Sequence, residues 1–161
     1  MDLERFKNKQ EEIVSSDTLS GQDFFNTIYQ GKHFPQDSRF LPVEEGGVFK
    51  YLDLSELIHN KSTMFYPNVK VDGKIVALAQ LQKDPRSENT FWKSFVAVDP
   101  SFQGKGYASQ VLEETFRFAK EKNMTIVNSS YNALGEEKLQ KKNNELAQKY
   151  GVPFTDGKRG F

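Results

Sequence analysis

The residues best suited to chemistry lie between positions 95 and 109, FVAVDPSFQGKGYAS. An apolar strand stops at Asp99-Pro100. A short loop then offers Gln103, Gly104, Lys105, Gly106, Tyr107 and Ala108, and a helix begins at once. This order makes a cradle for an anion. Glycine lets the backbone approach a ligand closely and take φ/ψ values that other residues avoid. The first turn of a helix has N–H groups without intrahelical partners and carries a partial positive charge. Together they suit a pyrophosphate. Ala108 and Ser109 are small and keep the approach open, while Lys105 adds charge at the rim. The plainer alternative is a tight strand-to-helix turn that Gly104 and Gly106 serve for backbone reasons only.

Other nucleotide motifs fit less well. A P-loop needs GxxxxGK[ST], which is absent. A dinucleotide fingerprint needs a third glycine where Ser109 stands, and an acidic residue near the end of the next strand, where Asn128, Ser129 and Ser130 stand. With 22 basic and 22 acidic side chains the formal net charge is +0, so no nucleic-acid partner is expected. Cys is 0, which excludes disulfides, thiolate metal sites and a cysteine nucleophile. His33 and His59 stand far apart with no ligand spacing, so no metal is expected, and both read as ordinary surface or half-buried residues. No apolar run approaches the roughly 18 residues of a membrane span. The start, MDLERFKNKQEEIV, is charged throughout and has no signal-peptide core. A cytoplasmic protein without membrane attachment is expected.

The elements that position the cradle follow from periodicity. Residues 2–14 read as a helix with Leu3, Phe6, Gln10 and Ile13 on one side, and residues 15–20 as a polar break. A second helix spans 22–30 and ends at Gly31. Residues 32–47, with two prolines and paired glycines, read as a long surface loop. Residues 55–59 form a short helix capped by Asp53 or Ser55. MFYPNVKV and KIVALAQLQ flank Asp72-Gly73, a hairpin pattern, with Pro67 placed at an edge or bulge. Residues 90–98 form a third strand, 108–121 a helix, 124–129 a short strand and 136–150 a helix. Residues 152–155 form a last strand. The helix at 108–121 turns Ala108, Val111, Leu112, Thr115, Phe118 and Ala119 to one side.

On these residues the string VAVDPSFQGKGYASQVLEE, residues 96–114, resembles motif A of the GNAT superfamily of acyl-CoA-dependent N-acyltransferases. The family pattern Gln/Arg-x-x-Gly-x-Gly/Ala is met by Gln103, Gly106 and Ala108, and element order extends the likeness over residues 64–151. The resemblance implies an α/β (α+β) fold: a mixed, mostly antiparallel twisted sheet flanked by helices. Its central strand pair splays apart to hold acetyl-CoA as co-substrate, and its C-terminus is shortened. The resemblance further implies that the backbone of Val96, Ala97 and Val98 pairs with the pantetheine arm. The amides of Gly104, Lys105, Gly106, Tyr107, Ala108 and Ser109 would hold the pyrophosphate, with Gln103 leading in. Asn132 sits where many members place an asparagine that touches the pantetheine; a turn residue is its other reading.

The chain also departs from the family. Many members carry a tyrosine general acid four residues before a Gly-Phe pair. Here that position holds Ala147, and Gly151 is followed by Val152. Tyr150 is the nearest candidate and Tyr131 the second, although Tyr150 also completes an apolar stripe. Residues 152–161 suit one strand rather than a final hairpin, and no ordinary first strand is visible before the N-terminal helices. The expected activity is transfer of an acetyl group from acetyl-CoA to a primary amine by direct attack on the thioester. The amine must be neutral. Deprotonation at pH 7 costs roughly 4–5 kcal/mol for a lysine side chain and about 1–1.5 kcal/mol for an α-amino group. Glu44, Glu45 and Asp53 are base candidates in or after the long loop, or else solvated carboxylates. A single domain over residues 1–161 is expected, as monomer or homodimer, with residues 1–47 as the acceptor side and 62–155 as the sheet and CoA-binding core. The competing expectation is a catalytically silent CoA-binding or interaction module on the same fold.

Overall fold

Asp72 and Gly73 take φ of 51° and 82° in the computed structural model, the positive pair that a two-residue hairpin turn requires. They join β2 (Met64–Val71) to β3 (Lys74–Lys83). The structure describes residues 12–29, 48–49, 51–128 and 136–156. Ahead of the hairpin come β1 (Val14–Ser20), α1 (Gly21–Tyr29) and α2 (Leu54–Asn60). After it come β4 (Thr90–Val98), α3 (Tyr107–Glu121), β5 (Thr125–Asn128), α4 (Glu136–Tyr150) and β6 (Phe154–Asp156). One sheet holds the six strands in sequence order. The pairs β1–β2, β2–β3 and β3–β4 are antiparallel, while β4–β5 and β5–β6 are parallel. This is the mixed, mostly antiparallel sheet expected, and it is not closed.

Two expectations need correction. Residues 15–20 are not a polar break: with Val14 they form β1, which pairs along β2 from Val14↔Val71 to Ser20↔Phe65. An ordinary first strand therefore does precede α1. Its polar side chains hid it, because they find partners on α3: Thr18 Oγ1 donates to Glu114 Oε2 at 2.7 Å, and Gln110 Nε2 donates to Ser16 Oγ at 3.1 Å. The helix expected over 2–14 otherwise falls on residues 1–11, outside the described residues, as does the loop 32–47. Pro67 lies on no edge, since β2 has β1 on one side and β3 on the other. The ladder to β3 keeps one register from Phe65↔Leu81 to Asn68↔Leu78, with no pair at Tyr66 or Pro67, and its register shift comes later, at Val69/Lys70. A residue without an N–H fits such a gap in the pairing.

The two faces of the sheet carry different cores. On one, Phe24 of α1 and Leu57 of α2 pack with Met64, Tyr66, Leu78 and Ala97. Phe24 stacks on Tyr66 at 4.1 Å between ring centroids, and the Tyr66 hydroxyl donates to Gln80 Oε1 at 2.9 Å. α2 starts at Asp53, whose carboxylate accepts from the Glu56 amide at 3.1 Å. On the other face, α3 and α4 bring Leu112, Phe116, Phe118, Ala119, Leu146 and Ala147 against Leu81, Phe91 and Ile126. Val111 and Tyr107 pack on Val69, Val76, Ala77 and Ala79. The buried side of α3 includes Phe116 and Glu114, beyond the six residues expected, while Ala108 is only half-buried.

Phe116 is fully buried and meets Phe154 edge-on at 5.5 Å, so it couples α3 to the last strand. Phe116→Ala should lower stability by about 3–5 kcal/mol, read from urea unfolding. A loss below about 1 kcal/mol would contradict this packing.

Candidate active site

The register between β3 and β4 shifts at Gln80/Leu81: Leu81 pairs with Lys93, Gln80 with Phe95, and Ser94 is the extra residue. A bulge of this kind turns the strand over. Phe91 therefore packs on the α3–α4 side, whereas Phe95 and Ala97 pack on the α1–α2 side. The parallel ladder to β5 runs from Thr90↔Thr125 to Lys93↔Asn128, while β4 continues to Val98; among the described residues no strand pairs with β4 on that side beyond Lys93. This is the arrangement that a splayed strand pair requires.

The orientation of the open edge follows from one bond. The Asp99 amide donates to Val76 O at 2.8 Å. In an antiparallel ladder hydrogen-bonded pairs alternate with non-bonded ones. With Val98 opposite Ala77 and Ala97 opposite Leu78, Ala97 turns its N–H and C=O toward β3. Val96 and Val98 turn theirs into the wedge. Of the three residues expected to offer backbone to a pantetheine arm, two have the right phase; Ala97 lines the cleft without offering those groups.

Beyond Val98 the chain forms a 3-10 turn at Pro100–Phe102, capped by Asp99, whose carboxylate accepts from the Ser101 amide at 2.9 Å. Gly104 and Gly106 both sit at positive φ, 80° and 84°. Gly106 is the N-cap of α3 and supplies no capping side chain. The first bond into the helix is Gln110 N to Gly106 O at 3.1 Å. The amides of Tyr107, Ala108 and Ser109 thus lack intrahelical acceptors. A Cβ on Gly104 or Gly106 would meet nothing within 4 Å. Glycine is needed there for φ and for a clear approach, and no packing neighbour demands it.

Strand edge and helix start share one cleft of about 330 Å³, lined by Tyr51, Val96, Ala97, Val98, Phe102, Gln103, Gly104, Gly106, Tyr107, Ala108, Ser109 and Leu139. An extended arm with an anionic end fits this lining: uncapped amides at one end, strand edge along the length, apolar walls at Phe102 and Leu139. Lys105 stays exposed, its Nζ 5.2 Å from the Phe102 ring. Lys74 Nζ lies 5.9 Å from the same ring and 3.8 Å from Asp99 Oδ2, adding a second cation near the turn. Tyr51, Phe102 and Leu139 were not anticipated as site residues. Phe102 and Leu139 belong to the loop and the helix expected there; Tyr51 ends the stretch 48–51, which is too short to assign from sequence, and nothing in its neighbours marks it.

Of the expected acid and base residues, Tyr150 and Asp53 are described. Tyr131, Asn132, Glu44 and Glu45 lie outside the described residues. Tyr150 does not line the cleft. It sits at the end of α4, eleven residues or about 16 Å along the axis from Leu139. Its hydroxyl donates to Glu113 Oε1 at 2.8 Å, and Lys149 pairs with the same oxygen. Burial, and then the Glu113 carboxylate, push its phenol above the usual tyrosine value. Lys149 and Tyr150 in turn hold the Glu113 carboxyl below its ordinary range. Asp53 uses its carboxylate as the cap of α2. Glu56, one turn on, has its carboxyl raised by burial and by Asp53; it is a base candidate that the sequence did not single out. Among the described residues no group of three or more His, Asp or Glu could hold a metal, and no helix is long and apolar enough to cross a membrane.

Strand order, wedge and glycine-capped helix together define a GNAT-type acyltransferase fold. The model of the Acetyltransferase (GNAT) family matches residues 25–135, more than half of the chain, and the chain belongs to that family. No curated protein matches its sequence. Among solved structures it is similar in fold to a GNAT family acetyltransferase from Elizabethkingia anophelis with acetyl-CoA bound, at 17% identity and a TM-score of 0.53, over 80% of this chain and 73% of that one. It is also similar to an aminoglycoside acetyltransferase from an uncultured soil metagenomic sample in complex with sisomicin, at 16% identity and 0.50, over 81% and 86%. The IAA acetyltransferase from Bacillus cereus aligns at 14% identity and 0.50, over 85% and 75%.

The bond between Tyr150 and Glu113 yields a test. Tyr150→Phe removes one donor from the carboxylate, so the Glu113 carboxyl should rise toward its ordinary range in an NMR titration. Turnover should stay within about threefold; a loss of about 10²-fold or more would restore Tyr150 as the general acid.

Proposed function

We propose that the chain is a single-domain N-acetyltransferase, residues 1–161, moving an acetyl group from acetyl-CoA to a primary amine. The observation that carries this reading is the meeting of two backbone surfaces without partners among the described residues in one cleft: the outward amides of Val96 and Val98, and the uncapped first turn of α3 at Gly106. The first suits the amide groups of a pantetheine arm, and the second suits a pyrophosphate. The thioester supplies an activated acyl carbon and a leaving thiolate. The chain's contribution is to hold that carbon at the parting of β4 and β5, with backbone N–H groups facing the developing oxyanion.

The acceptor amine must arrive neutral or lose its proton on the way in. An α-amino group or another amine of lowered basicity makes the smaller demand, about 1–1.5 kcal/mol at pH 7 against roughly 4–5 for a free lysine side chain. Glu44 and Glu45, in the segment before the hairpin, are proposed to draw a cationic amine and accept its proton. Phe34, Phe40 and Leu41 would hold the body of the acceptor beside them. Asp53 is already engaged as a helix cap, and Glu56, with its raised carboxyl, is the alternative base.

Gly106→Glu puts bulk and negative charge on the cradle and strains the backbone at φ 84°, although its Cβ meets no neighbour. The wild-type chain should bind CoA in calorimetry, and the variant should lose at least about tenfold in affinity, ~1.4 kcal/mol. Equal affinity in the two would overturn the placement. Replacing Glu44 and Glu45 together with Gln should raise the acceptor KM or lower turnover and leave the acetyl-CoA KM nearly unchanged. Unaltered acceptor kinetics would return both carboxylates to the solvated surface. CoA binding with no CoA release across a library of amines would favour the silent binding module.

A further inference from the structure

The first turn of α3 has no side chain to cap it and follows two glycines at positive φ, so nothing local fixes its placement. Tyr107 and Val111 press it onto β2 and β3. Apolar contact is non-directional, so it sets the depth of the helix more than its register. Hydrogen bonds weaken steeply out of line, and they do set register. Two of them reach α3 from β1, the polar edge strand.

Gln110 Nε2 donates to Ser16 Oγ at 3.1 Å, and Thr18 Oγ1 donates to Glu114 Oε2 at 2.7 Å. Gln110 and Glu114 share a helix face, about 6 Å apart along the axis. Ser16 and Thr18 share a strand face, about 7 Å apart. The two spacings nearly match, and strand and helix run the same way, so a slip of the helix along β1 strains both bridges at once. Glu114 is gripped from the other side as well. Arg117 meets its carboxylate with Nε at 2.7 Å and Nη2 at 2.8 Å, and Glu121 holds Arg117 Nη1 at 3.0 Å. Such a fork keeps the carboxylate from turning away from Thr18. Gln110 is also the residue whose amide makes the first bond into the helix, to Gly106 O at 3.1 Å. Its backbone closes the cradle turn and its side chain ties that turn to β1.

We propose that Gln110 and Glu114 are positioning residues for the acetyl donor. Through Ser16 and Thr18 they fix where the amides of Tyr107, Ala108 and Ser109 stand, and so set the affinity for a pyrophosphate. This rests on the acetyl-CoA reading above. None of the four residues lines the cleft, so each acts through the helix. The role accounts for the polar face that β1 turns to α3. An apolar pair would pack there without the cost of burying the Glu114 carboxylate, but it would leave the helix free to slide.

The test removes both bridges from the strand side, by Ser16→Ala with Thr18→Val, and leaves the backbone ladder to β2 in place. Calorimetry compares CoA with pantetheine, the same arm without its phosphates. CoA affinity of the double variant should fall about tenfold, the scale of one hydrogen bond to a charged group, while pantetheine affinity stays within about twofold. The NMR amide signals of Tyr107, Ala108 and Ser109 should shift. Thr18→Ser keeps the hydroxyl and should bind CoA as wild type does. So should Asp17→Ala, which breaks only the ion pair to Lys70, at 3.7 Å, on the other face of β1. If circular dichroism shows the double variant unfolded, Thr18→Val alone carries the same comparison. Unchanged CoA affinity would show that the cradle needs no tether, and an equal loss for CoA and pantetheine would show a loosened sheet; either overturns the positioning role. Failure of wild type to bind CoA is a separate outcome, which overturns the proposed function and this role with it.

Discussion

The edge of β4 beyond Lys93, without a strand partner among the described residues, is the constraint on which the rest of the site depends. Interior strands normally satisfy their backbone on both sides, and an unpaired stretch inside a sheet leaves N–H and C=O groups that seek partners. Here the stretch is short and its phase is set by the neighbouring ladder. The bulge at Ser94 turns the strand over just where its partner ends, so each half of β4 can bury apolar side chains on a different face. Phe91 serves the α3–α4 core and Phe95 and Ala97 the α1–α2 core, with the cleft between them.

A cradle made of backbone works only if the helix start is held in place. Tyr107 and Val111 pin the first turns of α3 to β2 and β3 through the apolar cluster. Further along, Glu114 is 4% exposed, and its carboxylate accepts from Thr18 of β1 and, at 2.7 and 2.8 Å, from Arg117. A buried carboxylate left alone would be costly, and here Thr18 and Arg117 both donate to it. The polar edge strand and the helix that opens the site are thereby locked together. This is also why β1 is polar in sequence yet part of the sheet.

Legibility in the sequence followed the nature of the force. Apolar periodicity gave the hairpin, β4, α3 and α4 closely, because burial there is local and repeating. The glycine turn was visible because positive φ leaves a residue-type trace at Gly104 and Gly106. β1 was missed because its stability comes from pairing with β2 and from contacts nearly a hundred residues away in Glu114 and Gln110, which no window along the chain can register. Pro67 was misplaced because a gap in the pairing at an interior position costs the sheet little when the same register resumes at Asn68. Tyr51 left no trace, since a single tyrosine after a glycine-rich loop has no period and no partner in sequence.

The two halves of the site consequently differ in kind. The cleft offers main-chain groups at the β4 edge and the α3 start, whose positions are fixed by a strand register and a helix cap. Few side chains can alter them, and many sequences can build them; a likeness of fold at 17% identity is consistent with that freedom. Toward the α1–α2 face the described residues offer side chains instead, where Tyr51 leans on Phe95 and Glu56 stands half-buried beside the cap of α2. Backbone recognition preserves the donor through sequence change, and side-chain recognition lets the acceptor vary. The family identity therefore carries the acetyl donor much further than the acceptor, which backbone groups around Gly106 cannot choose.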